Sequence, residues 1–96
     1  MDPSKKFRGH VELPNNGAII DLVGEDAGTL KTNVDNLLRG GCRFEVAGSA
    51  QEPAVLIYHP TLDNGKTVIG WIAPGIAAPM TNAAFLESRH LQKQAA

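Results

Sequence analysis

Polar and apolar positions alternate at the start of the chain. In FRGHVEL, Phe7, Gly9, Val11 and Leu13 are separated by Arg8, His10 and Glu12, and a period of two predicts a strand with one apolar face. PNNG follows at residues 14–17. Asn and Gly tolerate positive φ, so this predicts a hairpin turn with AIIDLV, residues 18–23, as the returning strand. The period then changes. Leu30, Val34, Leu37 and Leu38 fall at i, i+4, i+7 and i+8, which predicts a helix over about residues 27–39. Glu25 and Asp26 stand where a helix N-terminus favours negative charge, and Gly40 with Gly41 supplies a left-handed exit.

CRFEV alternates again and predicts a third strand with Cys42, Phe44 and Val46 facing inward. AVLIYH, residues 54–59, is a continuous apolar run stopped by Pro60, as in a strand covered on both faces. After a second Asn-Gly turn at residues 64 and 65, TVIGWIA predicts a fifth strand. Strict alternation would turn Val68, Gly70 and Ile72 to one face and Ile69, Trp71 and Ala73 to the other. Thr81 or Asn82 then caps a final helix running to about residue 93. The order ββαβββα predicts an α+β fold in one domain, residues 1–96, with flexible ends at 1–6 and 94–96. It implies a mainly antiparallel five-stranded sheet, one helix packed on it and a C-terminal helix. An opening hairpin followed by a helix resembles the β-grasp architecture in element order. The ending QKQAA has no Gly-Gly tail, so the resemblance implies no modifier function.

The first helix covers one face of such a sheet, yet the fourth and fifth strands are apolar on both. TVIGWIAPGIAAPM, residues 67–80, contains no charged side chain although its glycines and prolines put half of it in a loop. Two covers offer themselves. The final helix brings Phe85, Leu86 and Leu91, in a stripe cut short by Arg89 and His90. The other cover is a second chain, most commonly through a twofold homodimer. Leaving Trp71, Ile76 and Met80 in water would forfeit about 1.5–3 kcal/mol for each.

Composition narrows the classes of function. With 43% hydrophobic and 20% charged residues the chain is globular rather than disordered. A formal charge of −1, with Lys5 and Lys6 as the only adjacent pair of basic residues, argues against nucleic acid and anionic lipid as partners. The single Cys42 excludes an internal disulfide. No apolar signal core opens the chain, and residues 67–80 are too few and too broken by Gly70, Pro74, Gly75 and Pro79 to span a bilayer. A soluble, cytoplasmic protein is expected.

The constellations with a chemical look fall short. GEDAGTLKT joins strand to helix, but Lys31 lies three residues after Gly28, where a phosphate-binding loop needs lysine directly after its second glycine. GWIAPG lacks the middle glycine of a dinucleotide fingerprint. Cys42 shares the parity of Phe44 and Val46 and reads as an inert core thiol. His10, His59 and His90 show no metal-ligand spacing. Arg8, His10 and Glu12 read as the solvated side of a strand, and Asp21, of the same parity as Ile19 and Val23, needs a cation opposite it if that face is covered. No catalytic residue, metal ligand or cofactor is assigned, and the balance is against an enzyme. The function expected is protein binding, in the manner of an adaptor or inhibitor, by a homodimer acting through an apolar loop and sheet surface. Trp71, Ile76, Met80, Phe85, Tyr58 and His59 are the expected binding residues. The alternative is a small-ligand protein or compact enzyme whose pocket forms at the subunit boundary, walled by Trp71, Tyr58, Ile76 and Met80, with His59 or His10 as the polar group.

Overall fold

The computed structural model describes residues 6–14, 17–48, 53–76 and 78–88. Strand β1 (Phe7–Glu12) and strand β2 (Ile19–Gly24) form the opening hairpin, antiparallel, with His10 opposite Asp21 and Val11 opposite Ile20. The Leu13 amide donates to Ala18 O at 2.8 Å and the Gly17 amide to Leu13 O at 3.0 Å, closing the turn. Gly17 sits there at a φ of 73°, a conformation that suits glycine.

Helix α1 (Ala27–Leu37) begins at Asp26, whose Oδ1 accepts from the Thr29 amide at 2.7 Å. It is the acid expected at this end, acting as a cap. The helix stops two residues before the periodicity predicts, because the backbone turns left-handed one residue early. Arg39, Gly40 and Gly41 have φ values of 61°, 87° and 89°, and the Gly40 amide donates back to Asp35 O at 2.7 Å.

Strands β3 (Arg43–Gly48), β4 (Pro53–Tyr58) and β5 (Val68–Pro74) complete a sheet of order β2-β1-β5-β4-β3, with every neighbouring pair antiparallel. A 3₁₀ turn, Leu62–Gly65, carries the second Asn-Gly signal, with Asn64 and Gly65 at φ 57° and 76°. The first and last strands therefore lie side by side at the middle of the sheet. Likeness to the β-grasp ends with the hairpin and the first helix, since β1 and β5 run antiparallel and a second helix lies on the other face.

That second helix, α2 (Asn82–Ser88), decides what covers residues 67–80. Its Phe85 and Leu86 join Ala54, Leu56, Tyr58, Val68, Trp71 and Ala73 in one buried cluster, against which Ile76 and Met80 pack. On the opposite face Leu30 and Val34 of α1 meet Val11, Ile57, Ile69 and Ile72. The cover is the last helix folding back within one chain. Thr81, not Asn82, is its cap, accepting from the Ala84 amide at 3.1 Å.

Strict alternation fails in β5. Ile57 pairs with Gly70 but Tyr58 pairs with Val68, so one residue of β5, Ile69, is extra. This bulge turns Val68 to the α2 face with Trp71 and Ala73, and Ile69 to the α1 face with Ile72. In β3, Cys42 just ahead of the strand and Phe44 pack inward as expected, whereas Val46 is 81% exposed. Helix α1 lies chiefly over β1, β2 and β5, which leaves this end of the sheet uncovered. Among the described residues no helix is long and apolar enough to cross a membrane. The expected run of the last helix beyond Ser88, and with it Leu91, lies outside the described residues, as do the ends apart from Lys6.

Candidate functional site

The polar side of β1 is not solvated, because α2 and the loop before it lie over it. His10 is 3% exposed. Its Nδ1 is 2.8 Å from Asp21 Oδ1, across the hairpin, and its Nε2 is 2.7 Å from Glu12 Oε2, two residues along the strand. Both bonds need a donor. They form together when the ring carries a proton on each nitrogen or when one carboxyl is protonated, since a neutral imidazole donates only once. The flat side of the ring stacks on Trp71, with centroids 6.0 Å apart, and Trp71 stacks on Phe85 at 4.4 Å and 5°. Offset stacking of this type adds to what burial alone supplies.

Arg8 and Glu12, on either side of His10, hold the segment that runs from β5 to α2. Arg8 Nε donates to Ile76 O at 3.3 Å, and Glu12 Oε2 accepts from the Asn82 amide at 2.7 Å, at the start of α2. Trp71 Nε1 donates to Met80 O at 3.2 Å. Two carbonyls of a loop with no charge of its own, those of Ile76 and Met80, thus accept from side chains of the strands beneath it, which holds it down on the sheet. Asn82 is buried as well, and its Oδ1 has no hydrogen-bond partner among the described residues.

Five of the six residues expected to bind come together. Trp71 and Phe85 are wholly buried, Tyr58 nearly so, and Ile76 and Met80 are half-buried against them. Within one chain only Ile76 and Met80 of these keep much exposed surface. His59 stands apart. Its Nδ1 accepts from the Thr61 and Leu62 amides at 3.1 and 2.9 Å, so it shapes the turn after β4, and the imidazole beside Trp71 is that of His10. Tyr58 donates its hydroxyl to Glu45 Oε1 at 2.8 Å and carries the Arg43 guanidinium 4.0 Å above its ring. Burial first, and then the bond to Glu45, push its hydroxyl above the ordinary tyrosine range.

His10, with both nitrogens engaged and the ring enclosed, has no nitrogen free to take a proton from a substrate. Its role here is to join β1 to β2 and to floor the loop. The signal for it was present in the sequence: a hairpin folded about the middle of PNNG puts position 10 opposite position 21. Among the described residues no three His, Cys, Asp or Glu side chains gather as a metal site. A shallow open groove between α1 and β2 is lined by Leu22, Asn33, Asn36 and Leu37, away from the aromatic cluster.

Burial, and then the nearby Asp35 carboxylate, push the Cys42 thiol above its usual range. The thiolate is the reactive form, so iodoacetamide at mildly alkaline pH should alkylate native Cys42 at least about tenfold more slowly than the denatured chain. Equal rates would mean an open thiol. The unfolded thiol ionises first as pH rises, so this group lowers stability as pH climbs through the unfolded value of 9.0.

Compared with models of protein families, with curated proteins and with solved structures, the chain finds no match in any of the three.

Proposed function

We propose that this chain is a protein-binding domain that works through the edges of its sheet, as a homodimer that engages a different protein. The reading rests on β2. This outer strand turns Ile19 and Val23, 60% and 56% exposed, to the same side as Asp21, which stands between them. Isolated exposed apolar residues are ordinary, but two at alternate positions on an edge strand, around one acid, form a template for an added strand. The segment that fits is extended, with an apolar, a basic and an apolar side chain at alternate positions, so that the cation meets Asp21. Arg8, opposite Val23, reaches the Ile76 carbonyl, so the apolar loop borders this face and Ile76 and Met80 extend it. Trp71, Phe85 and Tyr58 support that loop from beneath.

The test is a selection of random displayed peptides on the full-length chain, followed by titration of those enriched. Peptides of the stated pattern should be recovered, and Ile19→Lys together with Val23→Lys should weaken them by about a hundredfold, the scale of two anchoring side chains at about 1–2 kcal/mol each. Both positions are exposed, and circular dichroism of the double variant checks that the fold is kept. Recovery of no peptide, or binding indifferent to the pair of substitutions, would sink the reading.

A further inference from the structure

We infer that the chain dimerises by pairing β3 with β3 of a second copy, antiparallel, with Phe44 opposite Phe44 across a twofold axis. The inference rests on the reading of the sheet edges as binding surfaces, but it uses the other edge. β3 closes the sheet, paired on one side with β4 and, among the described residues, with no strand on the other. An edge of this type presents a row of backbone donors and acceptors. At its middle is Val46, more exposed than Ile19, Val23, Leu37 or Leu62.

The choice of partner and register follows from charge. A twofold axis perpendicular to the sheet keeps its two faces, so each residue meets one from its own face. With Phe44 on the axis, Cys42 lies opposite Val46 of the second copy on the α1 face, next to the paired phenylalanines. On the α2 face Arg43 lies opposite Glu45, twice by symmetry. Every directly opposite pair is then apolar with apolar, or cation with anion. The other registers lose this. An axis at Arg43 or Glu45 puts like charges directly opposite, and an axis at Val46 leaves Glu45 facing Ala47. Arg43 and Glu45 are already held on that face, the first over the Tyr58 ring and bonded to Gly65 O at 3.2 Å, the second by the Tyr58 hydroxyl. Strand β2 offers no such self-match: an axis at Ile20, Asp21 or Leu22 brings Asp21 against Ile19, itself or Val23, and an axis at Val23 sets it against Glu25. β2 suits a partner that supplies a cation, and β3 suits a second copy.

The full-length chain is examined by light scattering and sedimentation over a concentration series. The wild type should approach twice its 10.2 kDa. Val46→Lys, Arg43→Glu and Glu45→Arg should each weaken the dimer at least about tenfold, the last two because both symmetry-related ion pairs become repulsions. The register is tested by mixing. The R43E chain carries two anions at these positions and the E45R chain two cations, so an equimolar mixture should form a heterodimer with close to wild-type affinity. That recovery also shows that both variants fold. A wild type that stays monomeric at every concentration would overturn the inference and the homodimer in the proposed function, while binding at β2 stands or falls on its own peptide test. A V46K dimer as tight as wild type, or a mixture that fails to associate, would overturn it equally.

Discussion

Replacing Gly70 with alanine is expected to remove a large share of the fold's stability. Gly70 lies in β5 between Val11 of β1 and Ile57 of β4, at the middle of the sheet. A β-carbon built there overlaps the carbonyl oxygen of His10 and comes within 3.2 Å of Ile57 Cδ1. A flexible side chain can move aside, but a backbone oxygen in the central strand pair cannot without opening the β1–β5 ladder. Stability of a domain this size is about 5–15 kcal/mol, and overpacking with loss of ladder bonds is expected to cost about 4 kcal/mol or more. Urea unfolding followed by circular dichroism measures this, with an amide NMR spectrum to show whether native dispersion survives. A loss below about 1 kcal/mol would mean that β1 and β5 lie farther apart than described.

His10→Ala is the second large effect, expected at about 3 kcal/mol. The substitution does three things together. It empties a buried volume against Trp71, it removes the donor between Asp21 and Glu12, and it leaves those two carboxylates without the cation or proton between them. Breaking a fully buried pair costs about 3–5 kcal/mol. The carboxylates here are about a third exposed, which lets water take up part of the loss. Thermal melting with Trp71 emission as the reporter tests both parts of the effect. A lowered midpoint and a red-shifted, quencher-accessible Trp71 are expected, because the floor under the loop is gone. A midpoint unchanged within a degree or two would show that the histidine is a bystander.

Element types were legible because each depends on neighbours in sequence. The hairpin around PNNG, the helix capped by Asp26 and the apolar run of β4 all follow from local pattern and turn chemistry. Facing was legible only where the period held. The extra Ile69 reversed the assignment of Val68 and Ile69, and nothing in TVIGW distinguishes a bulged strand from a regular one except Gly70, which marks such places. The solvated reading of Arg8, His10 and Glu12 failed for a different reason. Period two identifies the two sides of a strand but not what later lands on them, and here a helix more than seventy residues away in sequence covers the polar one. Trp71 and Phe85 were both expected as binding residues, and the structure stacks them on each other inside one chain. Their stacking inside one chain depends on the path of residues 74–81, which no periodicity specifies.

The neighbourhood of β1 and β5 also orders events in time. Val11 finds Gly70 only after about sixty intervening residues have been made, so the central ladder waits for β5, the last of the described strands to be made. Until then the β1–β2 hairpin and the β3–β4 hairpin exist as separate pieces, each with an open flank and each marginal alone. Closing so long a loop carries a larger entropic cost than closing either hairpin, and that cost falls before any contact of the central ladder repays it. A nascent chain halted before residue 68 would leave the edges of β1 and β4 that pair with β5 open to whatever stands near the ribosome.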